Sequence, residues 1–161
     1  MNNQRLAFDE PQGIVQHYIF HLLPLLPLAA ILAFGFGVGA FPILAMLAAA
    51  IFIDADHLLD YVLEVPFKEW KWRAALRGDH FPSASHAYVL FHGYDEAVVF
   101  GWMSGEIWGA AIGWSIAIGL IFHIAKDQLD YSGHPLRYVL LFRALRGFPN
   151  DIFVHSQNCR D

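Results

Sequence analysis

The fold is indicated most clearly by PQGIVQHYIFHLLPLLPLAAILAFGFGVGAFPILAMLAAAIFI, residues 11–53. These 43 residues contain no Asp, Glu, Lys or Arg. One membrane span needs about 20 apolar residues, so this run is long enough for two. The segment GFGVGAFP, residues 35–42, predicts the turn between them, because three glycines and a proline interrupt the apolar run. The first predicted span covers residues 14–34, with a kink at its prolines, and the second covers residues 41–59.

A second apolar block follows a polar middle segment and predicts two more spans, over residues 87–103 and 107–126. Ser104–Glu106 is the predicted turn between them, and the glycines of residues 109–119 predict close helix packing. The composition agrees with a membrane protein: 57% of the residues are hydrophobic and 16% are charged, against about 25% charged in soluble domains. The predicted fold is all-α, a single-domain integral membrane bundle of four transmembrane helices.

The basic residues predict the orientation of this bundle. All ten lie before the first span, between the second and third, or at and after the end of the fourth. Four spans place these three regions on one side, so we expect that side, with both termini, to be the cytoplasm. Two apolar-basic segments on that side, residues 66–78 and 134–148, predict interfacial helices.

Several classes of protein are excluded by the same inventory. The single cysteine, Cys159, allows neither an internal disulfide nor a cysteine-based zinc site. The first apolar run is too long for a cleaved signal peptide. No basic run of the kind that binds nucleic acid occurs in the chain.

Ionisable residues gather at the predicted cytoplasmic end of every span. The second span ends in IFIDADHLLDY, residues 51–61, which brings three carboxylates and a histidine into seven positions. The other groups open the first span, precede or enter the third, and close the fourth: His17 and His21; His80, His86, His92, Asp95 and Glu96; His123, Asp127 and Asp130. Four such groups at one membrane depth predict a shared site, because unpaired acids near hydrocarbon cost several kcal/mol.

Imidazole and carboxylate are the usual ligands of zinc, manganese and iron, so the expected cofactor is one to three divalent transition-metal ions, with zinc preferred. The predicted ligands are His17, Asp54, Asp56, His57, His92, Asp95, His123 and Asp127. Which of His80, His86 and His92 belongs to the site stays open. The alternatives for each group are a solvated helix end, a loop, or a structural hydrogen-bonded pair.

The geometry of a regular helix raises a question about IFIDADHLLDY. At 100° per residue, Asp54 and His57 share one face and Asp56 and Asp60 share another, while Asp54 and Asp56 point about 200° apart. Either the helix unwinds near Asp54 and brings both acids to the metal, or only one of these pairs binds it.

The sequence resembles the prokaryotic membrane-bound metal-dependent hydrolases, an inner-membrane family with a LexA-regulated member. The resemblance rests on Asp54-x-Asp56-His57 after an apolar helix, a downstream histidine segment and His123-x-x-x-Asp127, and covers roughly His17 to Phe148. Before the third span the family has His-Arg-Gly and Thr-His-Ser. Here that position holds His80-FPSAS-His86, and HGYDE, residues 92–96, is the alternative. The resemblance implies a membrane-embedded metal site and a hydrolase like zinc-dependent phospholipase C.

The expected function is therefore hydrolysis of a phosphoester or lipid-linked substrate at the membrane surface. In this interpretation Asp60 or Glu96 is the general base, and Lys71, Arg73 and Arg77 bind the substrate phosphate. The alternatives are an ion, proton or metal transporter and a non-catalytic membrane scaffold with a structural metal. A transporter is disfavoured because Glu106 is the only ionisable residue in the opposite half of the predicted bundle.

Overall fold

The computed structural model describes residues 19–71, 75, 84, 86–130 and 134–152. Within them the chain is helical and contains no β-strand, only an isolated bridge between His86 and Pro149. The prediction of an all-α fold is therefore confirmed.

The first half of the described chain is a broken helix, a turn and a second, longer helix. Residues 19–22 are helical, and the chain then turns at Leu23 and Pro24 before helix α1 (Leu25–Ala30) and a π-helical turn (Ile31–Gly35). A proline has no N–H to donate, so a break at Pro24 is the expected result.

Helix α2 (Ala40–Phe52) follows a turn in which Gly37 adopts a φ of 66°. A 3₁₀ turn (Ile53–Ala55) joins it to helix α3 (Asp56–Glu64). The sequence therefore placed the second helix correctly, but the helix continues five residues beyond the predicted end at residue 59 and tightens at Asp54.

The second half is a helical hairpin with a short helix after it. Helix α4 (Tyr94–Trp108) and helix α5 (Ala110–Asp130) are separated only by Gly109. The predicted start of the third span at residue 87 is wrong, because residues 86–93 are not helical. The predicted turn at Ser104–Glu106 is also wrong. The chain reverses at Gly109, whose φ of 97° only glycine adopts readily, while residues 104–106 stay helical.

The two predicted interfacial helices lie only partly within the described residues. In the first segment the chain forms a 3₁₀ turn (Phe67–Glu69) and continues without helix through Trp70 and Lys71. Of residues 72–78 only Ala75 is described, and it is helical. The second segment forms a turn and then helix α6 (Leu140–Leu145). Gly147, at a φ of 75°, follows the end of α6.

Helix α5 packs against both α2 and α4, and glycine makes each close approach possible. A Cβ atom on Gly113 would collide with the α4 backbone at Gly101 and Gly105, and one on Gly119 would collide with the α2 backbone at Met46. The two buried apolar clusters lie on either side of α5, one around Ile53 and Ile124 and the other around Leu25 and Met46. These contacts align the ends of α2 and α5, where the ionisable residues lie.

Two helical stretches are long and apolar enough to cross a membrane, namely Ala40–Glu64 and Ala110–Asp130. Leu25–Gly35 is a shorter apolar helix, and the 15 residues of α4 extend only about 22 Å. By length and composition, the described residues therefore supply two of the four predicted spans.

Candidate metal centre

Six ionisable side chains from four separate segments meet at one end of the helices. They are His21, Asp54, His57, His92, His123 and Asp127. Five of them are buried, and His57 is half-buried. The cluster therefore brings together four parts of the chain: the first helical segment, the region where α2 passes into α3, the segment before α4, and the end of α5.

Asp54 occupies the centre of this cluster. Its Oδ1 atom lies 3.2 Å from Nε2 of His92, 3.3 Å from Nε2 of His123 and 3.6 Å from Nε2 of His57. Asp54 reaches this position from the 3₁₀ turn between α2 and α3. A 3₁₀ turn winds more tightly than an α-helix and changes the direction of the side chains that follow.

Asp127 supplies the second carboxylate of the cluster. One oxygen lies 3.4 Å from Nε2 of His123, one helical turn earlier in α5, and 3.8 Å from Nε2 of His92. The other oxygen, Oδ1, lies 3.4 Å from Nε2 of His21. That oxygen is buried and makes no hydrogen bond within the described residues. A buried carboxylate oxygen without a hydrogen bond is expected where a cation completes the site.

Two of the histidines are oriented by contacts on their far side. Nδ1 of His123 lies 2.7 Å from the carbonyl oxygen of Ala50, and Nδ1 of His92 lies 3.0 Å from Oδ2 of Asp56. An Nδ1–H that donates to each oxygen leaves the Nε2 lone pair directed into the cluster. Metal-binding histidines are commonly held by such partners.

By distance alone, the cluster divides into two groups whose ligand atoms all lie within 4.8 Å of one another: His21, His123 and Asp127, and Asp54, His57 and His92. The ring orientations favour another division. His21 stacks on His123 at 4.1 Å and 22°, and His57 stacks on His92 at 4.8 Å and 19°. An imidazole binds a metal in its ring plane, so stacked rings do not both point at one ion. His92 and His123 lie at 77° to each other and can.

The charge balance of the cluster also favours a cation. Burial by itself lowers the pKa of His92, but the carboxylates of Asp56 and Asp54 raise that pKa well above its usual range. Without another cation, an imidazolium thus neutralises these acids. Because a metal binds neutral imidazole, it would take over this role and release the proton.

Asp56 lies behind His92: it faces the Nδ1 side of that ring, whereas Asp54 and Asp127 face the Nε2 atoms of the histidines. Its Oδ2 accepts a hydrogen bond from the N–H of Phe91 at 2.7 Å and faces Nδ1 of His92. Its Oδ1 lies 3.5 Å from Nδ1 of His57. The structure therefore gives this predicted ligand the position of a residue that orients His92.

Three other predicted acids make backbone or ion-pair contacts away from the cluster. Asp60 accepts hydrogen bonds from the N–H groups of Tyr88 and Val89 at 3.1 and 2.9 Å. Asp95 accepts from Leu140 and Leu141 at 2.9 and 3.0 Å, at the start of α6. Glu96 lies 3.4 Å from Nη2 of Arg143. These contacts occupy the oxygens that the sequence analysis assigned to metal binding or proton transfer.

The remaining predicted residues have mixed outcomes. Lys71 is exposed, and its backbone N–H donates to the hydroxyl of Tyr61. His17, Arg73 and Arg77 lie outside the described residues. Of the three histidines left open, His92 joins the cluster, His86 lies 3.3 Å from Glu64, and His80 lies outside the described part.

Sequence reasoning missed three residues. His21 shares a helix face with His17, but only His17 is among the predicted ligands. Arg137 and Arg143 are fully buried, although both were counted among the basic residues of the membrane surface. The sequence gives little sign of their burial. Each arginine follows two apolar residues, and an exposed arginine at a membrane surface shows the same pattern.

Comparison with family models, with curated proteins and with solved structures finds no match to this chain. The arrangement of the residues themselves therefore carries the functional argument.

Proposed function

We propose that this chain is a membrane-embedded metal-dependent hydrolase that acts on a phosphoester of a lipid or lipid-linked molecule. The observation that supports it most is the buried cluster of four imidazoles and two carboxylates. The resemblance of the sequence to the prokaryotic membrane-bound metal-dependent hydrolases suggests the same class of reaction.

Burial makes a cation necessary in this interpretation. Asp54 and Asp127 are 5% and 6% exposed, and a buried carboxylate without compensation costs several kcal/mol. Nitrogen and carboxylate oxygen donors without sulfur suit zinc first, and manganese or iron next. The donor set therefore fits a divalent transition-metal ion better than calcium, which binds oxygen ligands only.

Four residues are the proposed inner ligands: Asp54, His92, His123 and Asp127. The nitrogen–oxygen distances among them are 3.2, 3.3, 3.4 and 3.8 Å. A tetrahedral ion with bonds of 2.0–2.1 Å has edges of about 3.4 Å. His21 and His57 flank this group, each stacked on one of its two histidines, and would contribute to a second ion or to substrate contacts.

If an ion bound here kept a position open to water, it would acidify that water and polarise a phosphoryl or acyl oxygen. The residues of the chain would hold that chemistry in place. The Ala50 carbonyl and Asp56 orient His123 and His92, and the apolar helix ends exclude bulk water. Half-buried His57 lies on the open side of the cluster, where a substrate would approach.

A membrane location is proposed because the candidate spans expose their apolar residues. Only 28% of the most apolar part of Ala40–Glu64 and 44% of that of Ala110–Asp130 are buried, whereas a core helix of a soluble protein is mostly buried. Four spans with cytoplasmic termini in a prokaryotic inner membrane remain our proposal for the whole chain. A site at the helix ends would meet lipid headgroups, and phosphoesters are their commonest hydrolysable groups. Lys71, with Arg73 and Arg77, would bind the phosphate.

Metal content tests the proposal directly. Purified full-length protein should carry zinc, manganese or iron in near-stoichiometric amount by elemental analysis, and His123→Ala should lose it. His134→Ala is the matched control, because His134 stacks on Phe142 away from the cluster. Wild-type protein that stays metal-free after incubation with each metal would refute the metal site. Metal-loaded protein with no activity on phosphatidic acid, phosphatidylglycerol or nitrophenyl phosphodiesters would refute the phosphoesterase assignment.

One observation favours a second candidate, a membrane scaffold with a structural metal. The four inner residues alone can complete a tetrahedral ion, and a closed site has no position for water. Cobalt-loaded protein distinguishes the two. If azide shifts the visible spectrum, the ion has an open position and hydrolysis is favoured, whereas an unchanged spectrum favours the scaffold.

A further inference from the structure

His92 differs from the other histidines of the cluster in its local structure. His21, His57 and His123 lie in helical turns, but His92 lies in the non-helical segment before α4, residues 86–93. A helical residue is held by its backbone hydrogen-bond ladder. A residue in a non-helical segment needs other contacts to hold it, so the contacts of this segment decide where His92 points.

Two carboxylates of α3 hold the N–H groups of this segment. Asp60 accepts from Tyr88 and Val89, one oxygen for each. Asp56, one helical turn earlier, accepts from Phe91 and faces the His92 ring. The segment is therefore bound along one face of α3.

A buried arginine holds the carbonyl groups of the same two residues. Nη1 of Arg143 donates to the carbonyl oxygens of Tyr88 and Val89, the second at 2.7 Å. Nη2 of Arg143 lies 3.4 Å from Glu96 in α4. Arg143 is 0% exposed. A fully buried guanidinium costs several kcal/mol unless its contacts compensate it, so these contacts bind the arginine firmly.

The backbone at the centre of these contacts has an unusual conformation. Val89 has a φ of 40°, in the left-handed region that a β-branched residue rarely adopts. Such a conformation is unfavourable by itself and persists only where surrounding contacts enforce it. Asp60 and Arg143 contact both sides of that peptide and are the groups that enforce it here.

We propose that Arg143, together with Asp60, is a positioning residue for His92 in the metal centre. Held between the arginine and the carboxylate, the Tyr88–Val89 peptide directs the following three residues so that His92 Nε2 faces Asp54. The inference rests on the proposed metal site and adds a role for an arginine that the sequence alone places at the membrane surface. It also gives Asp60 and Glu96 a function different from the general-base role that the sequence analysis assigned to them.

The test is the metal affinity of Arg143→Lys in the full chain, purified in detergent. Lysine keeps the charge, but its single nitrogen cannot occupy the positions of both Nη1, which bonds the two carbonyls, and Nη2, which faces Glu96. We expect the dissociation constant for Zn²⁺, measured by competition with a chelating dye, to rise about 10–100-fold. The cobalt spectrum should also change, because one nitrogen ligand is displaced. Arg146→Lys is the matched control, since Arg146 is exposed and lies over Phe142.

Asp60→Asn is the second variant, because Arg143→Lys can fail to fold. The amide keeps the volume of the carboxylate but loses one acceptor, and we expect the same weakening and spectral change. A folded variant of either kind with wild-type affinity and spectrum would overturn the positioning role, while the metal site itself would stand. Wild-type protein without any metal affinity would instead remove the proposed function, and the inference with it.

Discussion

At the scale of single residues, the two acids of Asp54-x-Asp56 have separate positions. Asp54 and His57 face the cluster, whereas Asp56 and Asp60 face the segment that carries His92. Helix periodicity predicted these two pairs and left open whether local unwinding or one pair alone explains the site. The structure combines the two explanations. The chain departs from a regular α-helix in a 3₁₀ turn at Asp54. Of the two pairs, only Asp54 and His57 lie within the cluster.

This arrangement predicts a graded result for Asp56→Asn. Asp56 lies behind His92, so the amide should leave the ligand set intact but orient the imidazole less well. We expect the affinity for Zn²⁺ to fall about 10–100-fold, with the stoichiometry unchanged at saturating metal. Competition with a chelating dye measures the first quantity, and elemental analysis measures the second.

The comparison for this variant is Asp130→Asn. Asp130 is exposed and pairs with Lys126 one turn earlier in α5, so its loss should leave the affinity unchanged. Complete loss of metal in Asp56→Asn would instead identify Asp56 as a direct ligand, as the sequence analysis expected.

At the scale of elements, helix α5 connects packing to the site. Gly119 contacts the α2 backbone at Met46, and His123 lies one turn further along the same helix. His123 in turn contacts the carbonyl of Ala50, one turn after Met46 in α2. The glycine contact and the histidine contact therefore lie side by side on the same pair of helices.

We predict that Gly119→Val separates these helices and weakens both stability and metal binding. A side chain at this position would collide with the Met46 carbonyl, and overpacking of this kind costs about 1–3 kcal/mol. Thermal unfolding in detergent should show a lower Tm, and metal content should fall because His123 moves away from Asp54. The control is Ala111→Val, an exposed position of the same helix. An unchanged Tm for Gly119→Val would contradict the close α2–α5 contact.

The boundaries of α4 show where reasoning from the sequence failed. Apolar composition indicates a span that starts at residue 87, but residues 86–93 stay non-helical because Asp60, Arg143 and Phe148 bind their backbone. Likewise, the polar tripeptide of residues 104–106 predicts the turn, whereas the chain reverses at Gly109. The positive φ of Gly109 is a property of the folded backbone. The sequence has several glycines in this region and does not show which of them adopts that conformation.

At the scale of the whole molecule, the apolar outer surface predicts insertion into a bilayer. Trp102, Trp108 and Trp114 are 67%, 60% and 71% exposed on the hairpin of α4 and α5. The reversal at Gly109 lies at the end of this hairpin away from the metal centre, which includes Asp127. Exposed tryptophans next to such a turn are typical of the membrane–water interface.

We predict that these tryptophans contact lipid. In vesicles of phosphatidylcholine with brominated acyl chains, a variant that keeps only Trp114 and replaces the other tryptophans with phenylalanine should lose most of its fluorescence. Aqueous iodide should quench it little. Strong quenching by iodide, or a wild-type protein that is monodisperse in buffer without detergent, would contradict the membrane assignment.

The sequence alone was enough to predict that the chain is helical and apolar, and that histidines and acids gather near the ends of its apolar segments. Those features follow from local composition and from the period of the helix. Tertiary structure decided which of these residues meet. His21 joins the site, Asp56 lies behind His92, and Arg143 is buried, because contacts between residues far apart in the sequence fix their directions. Periodicity reports the face of one helix, but the partner of that face depends on how separate helices pack.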